Sequence, residues 1–275
     1  MKPIRSLRAD RLTVMIYESR ESMGRAAAEA VAARLRSLAA EHDTVPVIFA
    51  TGESQLATLR ALTALERIPW NQVIGFHMDE YLGISGDHPA SFRRYLHDNL
   101  NGRVPLRRFF EVKGEDADPA KVCREYAEFL LTYHPLLCLL GIGENGHLAF
   151  NDPAEADFHD ARDVKVVSLD PVCRQQQVNE GWFPSLSDVP SQAITLTIPA
   201  LLRVPELIAS VPGPRKSQIV RRALAEPIST RCPATILRTH ANATVYLDRA
   251  SAAELPGDDS GFVVQDAPEG SGKNI

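Results

Sequence analysis

Short apolar runs alternate along this chain with longer stretches in which apolar residues recur every three or four positions. Leu12–Tyr17 (LTVMIY) reads as a strand. The SRESMGRAAAEAVAARLRSLAAEH that follows is rich in Ala and Arg with spaced Met, Val and Leu, and suits a long amphipathic helix. Val45–Ala50 (VPVIFA) is apolar without a break, which predicts a strand buried on both faces. A turn at Thr51–Ser54 leads into a helix over Gln55–Leu65. Val73–His77 then reads as a strand, Ser91–Leu100 and Pro119–His134 as helices, and Leu136–Leu140 as a strand. Further strands are predicted at Val164–Val167, Ala193–Leu196, Leu207–Val211 and Thr244–Leu247. This alternation predicts an α/β fold: one domain with a doubly wound, mostly parallel, Rossmann-like sheet and helices on both faces. Ligands of such sheets bind at the carboxyl ends of the strands. The pattern carries residues 1–250. From Ser251 onward Gly, Asp, Pro and Ser replace any periodic apolar face, so residues 251–275 read as a flexible or loosely docked tail.

Composition narrows the function more than the fold. Of the 275 residues, 44% are hydrophobic and 24% charged, an ordinary globular balance, and the net charge of −5 argues against a nucleic-acid partner. Cys123, Cys138, Cys173 and Cys232 form no CxxC pair, which suits buried, reduced thiols of a cytoplasmic protein better than zinc ligands or disulfides. MKPIRSLRADRLTV contains no apolar stretch of signal-peptide length and no twenty-residue apolar run occurs, so neither secretion nor a membrane partner is expected.

Three predicted strand ends carry unusual chemistry. In GFHMDEYLGISGDHPASFRRYL an apolar strand ends in Asp79-Glu80, two carboxylates where an α/β sheet presents side chains to its crevice. A solvated acidic turn or a helix cap would use the same residues, and Asp87 or His88 before Pro89 can open the next helix. A metal group of His77, Asp79 and His88 is a further alternative. In LLGIGENGHLAFNDP, Gly141, Gly143 and Gly146 allow a sharp turn that gathers Glu144, Asn145, His147 and Asp152. Imidazole carries protons near neutral pH, and a carboxylate five residues on can fix its tautomer. These glycines do not form a dinucleotide fingerprint. In SVPGPRKSQIVRRAL a Gly-Pro turn and a helix opening near Lys216 would aim backbone N–H groups and an ammonium at an anion. Thr51, Gly52 and Ser54 repeat that plan after the second strand, although either turn alone is equally a plain helix start.

With these residues in hand, the chain resembles the glucosamine-6-phosphate deaminase family from Leu12 to Asp248. The resemblance rests on MDEY at Met78–Tyr81 followed by His88, Pro89, Ser91 and Phe92, and on GxGxxGHxAFN at Gly141–Asn151. PGPRK with Lys216 and PISTRCPATILRTH around His240 add to it. The resemblance implies conversion of glucosamine 6-phosphate and water into fructose 6-phosphate and ammonia, in amino-sugar catabolism, with no metal or other cofactor. It also leaves room for a homo-oligomer. In that scheme His147 opens the sugar ring, Asp79 takes the C2 proton and Asp152 orients His147. Thr51, Gly52, Ser54, Glu80, Gly146, Arg174 and Lys216 hold the substrate and its phosphate. Three departures stand out: Asn145 replaces an Asp, Asp152 replaces a Glu, and Asn179 falls opposite the family's phosphate-binding arginine. Arg174, one helical turn earlier, is the candidate replacement, and Glu144 the candidate to restore the charge missing at Asn145. On that reading Asn145→Asp should raise turnover or shift its pH optimum upward. Two competing readings are a 6-phosphogluconolactonase-like hydrolase and a catalytically silent sugar-phosphate sensor.

Overall fold

The computed structural model describes residues 1–256. Its strands and helices, in chain order, are β1 (Arg5–Ala9), β2 (Leu12–Tyr17), α1 (Arg20–Glu41), β3 (Val45–Phe49), α2 (Glu53–Ala64), β4 (Val73–His77), β5 (Asp79–Tyr81) and α3 (Phe92–Leu96). They continue with β6 (Arg108–Phe110), α4 (Pro119–Tyr133), β7 (Leu137–Leu140), β8 (Val164–Ser168), α5 (Pro171–Asn179), β9 (Gln192–Leu196), α6 (Ile198–Leu202), β10 (Leu207–Val211), α7 (Ser217–Ala225) and β11 (Ala243–Asp248).

Eight strands form the main sheet in the order β1-β2-β11-β10-β7-β3-β4-β6, with every neighbouring pair parallel except β1 with β2. Its central strands are buried along their whole length because alternate residues enter two different cores. Val47, Phe49, Leu137 and Leu139 pack with α1 and α2 on one face. Ile48, Ala50, Cys138 and Leu140 pack with α4 and α7 on the other. The fold is therefore the doubly wound α/β sheet that the pattern predicts. β3 runs on through α2 to β4 in one direction, while β10 lies on the other side of β7, so a crevice opens between the loops that leave β3 and β7.

Three elements depart from the expected layout. Val164–Val167 and Ala193–Leu196 do not join the parallel sheet: β8, β9 and the three-residue β5 form a separate antiparallel sheet in the order β5-β9-β8. The chain passes from one sheet to the other at Met78, whose carbonyl accepts from Leu196 N at 2.8 Å. The helix predicted over Ser91–Leu100 spans only Phe92–Leu96 before a π-turn at His97–Asn101, and it is capped by Ser91 rather than opened at Asp87 or His88. All four cysteines are free and buried. Of the stretch read as a tail, residues 251–256 turn back onto the body: Ser251 N donates to Asp248 at 2.7 Å, and Arg5 donates to Pro256 O at 2.8 Å. Residues 257–275 lie outside the described residues.

Candidate active site

One cleft gathers the loops that leave β3, β4, β7 and β10, together with Arg20 from α1 and Gln176, Gln177 and Glu180 from α5 and its end. Of the residues singled out from sequence, Thr51, Gly52, Ser54, Asp79, Glu144, His147 and Lys216 line it.

Asp79 and Glu80 are adjacent and both buried, yet they have opposite surroundings. Asp79 faces the cleft, and its Oδ1 accepts no hydrogen bond among the described residues. Burial, with the Glu80 charge beside it, pushes its carboxyl well above the usual carboxylate range. Glu80 points the other way and is fully enclosed. Its oxygens accept from Ser91 Oγ (2.7 Å), Phe92 N and Arg93 N (both 3.1 Å), Arg93 Nε (3.3 Å) and Tyr81 N (3.0 Å). Glu80 therefore belongs to the head of α3 and not to the substrate cleft. A helix head leaves N–H donors free, and a buried carboxylate answers them. α3 in turn fixes the loop after β3, since Tyr95 Oη donates to Gly52 O at 2.8 Å.

The second wall is the turn after β7. The His147 ring lies directly over Gly143, where a Cβ would come within 2.2 Å of it, so only glycine admits the imidazole there. His147 Nδ1 sits 3.0 Å from Asp152 Oδ1. Asp152 is enclosed behind it, and Asp170 N donates to its other oxygen at 3.1 Å. Burial pushes the Asp152 carboxyl up, but His147 and the donors from Asn145 and Asp170 outweigh it and hold Asp152 below its usual range. Asn145 is more than a neutral neighbour. Its Nδ2 donates to Asp152 Oδ1 and to Asp170 Oδ2, both at 2.9 Å, while its Oδ1 accepts from His147 N at 3.0 Å. An amide is the only side chain of that size that can give to two carboxylates and receive from a backbone N–H at once. Asn151 fixes the same turn, donating to Leu148 O and Leu196 O at 2.8 Å.

Three expected residues lie away from these roles. Gly146, at φ +91°, packs against Cys232 and accepts from Ala234 N, because its left-handed turn faces the segment Pro233–Thr239. Arg174 donates to Leu186 O (2.6 Å) and Val189 O (2.8 Å), which takes its guanidinium to the far side of α5. Glu144 lines the cleft but faces Arg215, 3.6 Å away, rather than His147. Asn179 is bonded to Gln175 along the helix, and the residues that α5 turns to the cleft are Gln176 and Gln177. Sequence reading also missed Arg20 and Glu53, which meet at 2.6 Å beside the loop after β3.

The end of the cleft between the loops after β3 and β10 combines several donors. Lys216 is nine-tenths buried without a hydrogen-bond partner among the described residues, and burial lowers its pKa. Asp248 accepts from Gly213 N with both oxygens at 3.0 Å, fixing the turn that carries Lys216. Gly52, at φ +92°, opens α2 without a side-chain cap, so the helix head keeps free N–H groups toward the cleft.

The metal group His77, Asp79 and His88 is not brought together. His77 Nε2 accepts from Val112 N at 2.8 Å, and burial drives its pKa down to about 3, while His88 Nδ1 accepts from Ala90 N at 3.1 Å. Among the described residues the group whose ligand atoms lie close enough to share an ion is His147, Asp152 and Cys173, all within 4.8 Å of one another.

Residues 18–246, which include every residue lining the cleft, match the family of glucosamine-6-phosphate isomerases and 6-phosphogluconolactonases. The chain belongs to that family. A glucosamine-6-phosphate deaminase of Geobacillus sp. (strain WCH70) is 33% identical over 242 residues, covering 86% of this chain and 93% of that protein. Another, of Exiguobacterium sibiricum, is 34% identical over 206 residues, covering 75% and 79%. A solved structure of a monomeric glucosamine-6-phosphate deaminase superposes with a TM-score of 0.80 at 29% identity, covering 87% of this chain and 98% of that one. The 6-phosphogluconolactonase of Trypanosoma brucei superposes at 0.70 with 18% identity over 88% and 98%, a likeness of fold alone. Both activities in the family's description thus share this sheet, and the cleft has to separate them.

Proposed function

We propose that this family member is a glucosamine-6-phosphate deaminase, a deaminating aldose–ketose isomerase that releases the substrate nitrogen by hydrolysis. One observation carries the reading: a buried carboxyl, Asp79, whose Oδ1 has no hydrogen-bond partner among the described residues, shares a cleft with an imidazole, His147, whose Nδ1 lies 3.0 Å from the Asp152 carboxylate. Removing a proton from carbon calls for a base stronger than an ordinary carboxylate, and withholding water and donors from Asp79 makes it one. His147 carries a proton between the ring oxygen and O1 as the pyranose opens. Asp79 then takes the C2 proton, the C1–C2 double bond forms and the electron pair of the C1 carbonyl moves to O1. O1 takes a proton, the nitrogen lone pair forms the C2–N double bond as C1 is reprotonated, and water adds to that C2 iminium and displaces ammonia, leaving the ketose. Lys216 and the head of α2 hold the phosphate.

A lactone hydrolase needs no carbon base, so the isolation of Asp79 favours the deaminase over a 6-phosphogluconolactonase. A phosphorylated substrate, which does not cross membranes unaided, and four buried free thiols support action in the cytoplasm. Among the described residues no helix is long and apolar enough to cross a membrane. The test is to supply glucosamine 6-phosphate and assay ammonia together with fructose 6-phosphate, with 6-phosphogluconolactone in parallel. Equimolar ammonia and ketose supports the proposal. Lactone hydrolysis without ammonia, or neither reaction, overturns it.

A further inference from the structure

We propose that Arg20, at the head of α1, is the guanidinium that binds the substrate's phosphate. This rests on the deaminase reading for the identity of the sugar, and on the geometry of the cleft for the anion. α5 offers no cation there, since Arg174 is spent on two carbonyls and the cleft-facing positions are Gln176 and Gln177. Arg20 stands at the opposite wall. Its Nη1 donates to Glu53 Oε1 at 2.6 Å, and its Nη2 lies against the bare α-carbon of Gly213, where a Cβ would approach to 3.1 Å. The guanidinium thus sits between two glycine turns of positive φ, Gly52 and Gly213, each leading into a helix.

Of the five N–H donors of this side chain, one has a partner among the described residues. Lys216, enclosed and without a hydrogen-bond partner there, completes a second side of the same space. A guanidinium fork, an ammonium and the N–H groups of a helix head form the donor set that a phosphate's three outer oxygens take. Glu53 acts as the tether. Arg20 holds its carboxyl below the usual range, so it stays ionised and keeps the guanidinium in place before substrate arrives. Ser19 caps α1 with its hydroxyl, accepting from Ser22 N, so the helix start does not depend on the Arg20 side chain.

The experiment compares wild type, Arg20→Ala, Arg20→Lys and, as a charge control on the exposed face of α4, Lys121→Ala. The dissociation constant of inorganic phosphate is read by calorimetry, with a thermal melt to verify folding. Arg20→Ala is expected to weaken phosphate binding about 10- to 100-fold, the loss of one charge-assisted hydrogen bond or fork. Arg20→Lys should recover part of this and Lys121→Ala should match wild type. Wherever the sugar is turned over, Arg20→Ala should raise KM for glucosamine 6-phosphate and leave the poor reaction of glucosamine unchanged. Equal phosphate affinity in Arg20→Ala and wild type, or no phosphate binding by wild type, overturns the assignment. Failure of the deaminase reading looks different: wild type releases no ammonia, while inorganic phosphate still distinguishes wild type from Arg20→Ala.

Discussion

The two walls of the cleft to which the proposal assigns proton transfer are built on opposite plans. At the β4–β5 junction Asp79 is buried, its Oδ1 without a hydrogen-bond partner among the described residues, and burial with the Glu80 charge beside it raises its pKa. At the turn after β7, His147 is backed by Asp152, which is held by Asn145 and by Asp170 N, with Asn145 also bound to Asp170. On the proposed reading one wall would gain reactivity by withholding partners, and the other would gain position from the network around Asp152. The contrast recurs within two residues, since Glu80, next to Asp79, is saturated by the head of α3.

The sharpest way to break this comparison is to remove the isolated group. Asp79→Asn should lower kcat by about 10³–10⁴, the upper part of what a general base contributes. The same substitution should make the protein more stable at neutral pH. With its folded pKa above the ordinary 3.8, Asp79 retains a proton that the unfolded chain releases, so its contribution is full below pH 3.8 and is lost as pH rises through the folded value. Melts across pH should show the two proteins alike in acid and Asp79→Asn the more stable toward neutrality, at about 2–4 °C per kcal/mol. Wild-type kcat/KM should rise with pH on a limb lying above the normal carboxylate range.

Its saturated neighbour should behave in the opposite sense. Glu80→Ala leaves the N–H groups at the head of α3 and the Arg93 Nε without an acceptor, while Glu115 still holds the other end of that guanidinium, a loss of about 1–3 kcal/mol measured by urea unfolding. A neutral result there would show that the two carboxyls do not divide the work as described. On the other wall, His147→Ala should lower turnover by about 10²-fold, less than Asp79→Asn, because ring opening also proceeds in water whereas C2 proton removal does not. Supplying the open-chain form transiently should narrow that deficit.

The smallest effect concerns Asn145, and here the structure reverses the expectation from sequence. A carboxylate at 145 would face Asp152 and Asp170 at the 2.9 Å now spanned by donors, so Asn145→Asp should lose about 10-fold in turnover instead of gaining. Acting through His147, it should not exceed the loss from His147→Ala. A gain in turnover would mean that Asp170 moves aside.

Much of this was legible in the chain. The apolar runs VPVIF, VIGFH, LCLL and LIASV are strands of the main sheet buried on both faces, and LTVMIY is one with Thr13 and Met15 half-buried. RSLRA and RFF escape notice as strands because they lie at the sheet edges, where charged side chains are tolerated. β8 and β9 read as strands, but no local feature distinguishes a strand of the main sheet from one of a small antiparallel sheet. In the site, the glycine turns mark His147, Thr51–Ser54 and Lys216 because backbone conformation demands those residues. Arg20 carries no such mark. It begins an ordinary helix, and only the packing of α1 beside the loops after β3 and β10 brings it to the cleft. The fate of Asn145 was equally hidden, since Asp170 lies twenty-five residues away and meets it only when α5 folds back over the turn.

The central claim, that an isolated Asp79 removes the C2 proton of the amino sugar, is tested most directly by reaction in deuterium oxide. Fructose 6-phosphate formed by wild type should carry solvent deuterium at C1, and unreacted glucosamine 6-phosphate recovered with Asp79→Asn should retain its C2 proton over the same time. Exchange of the C2 proton by Asp79→Asn at the wild-type rate would contradict the account.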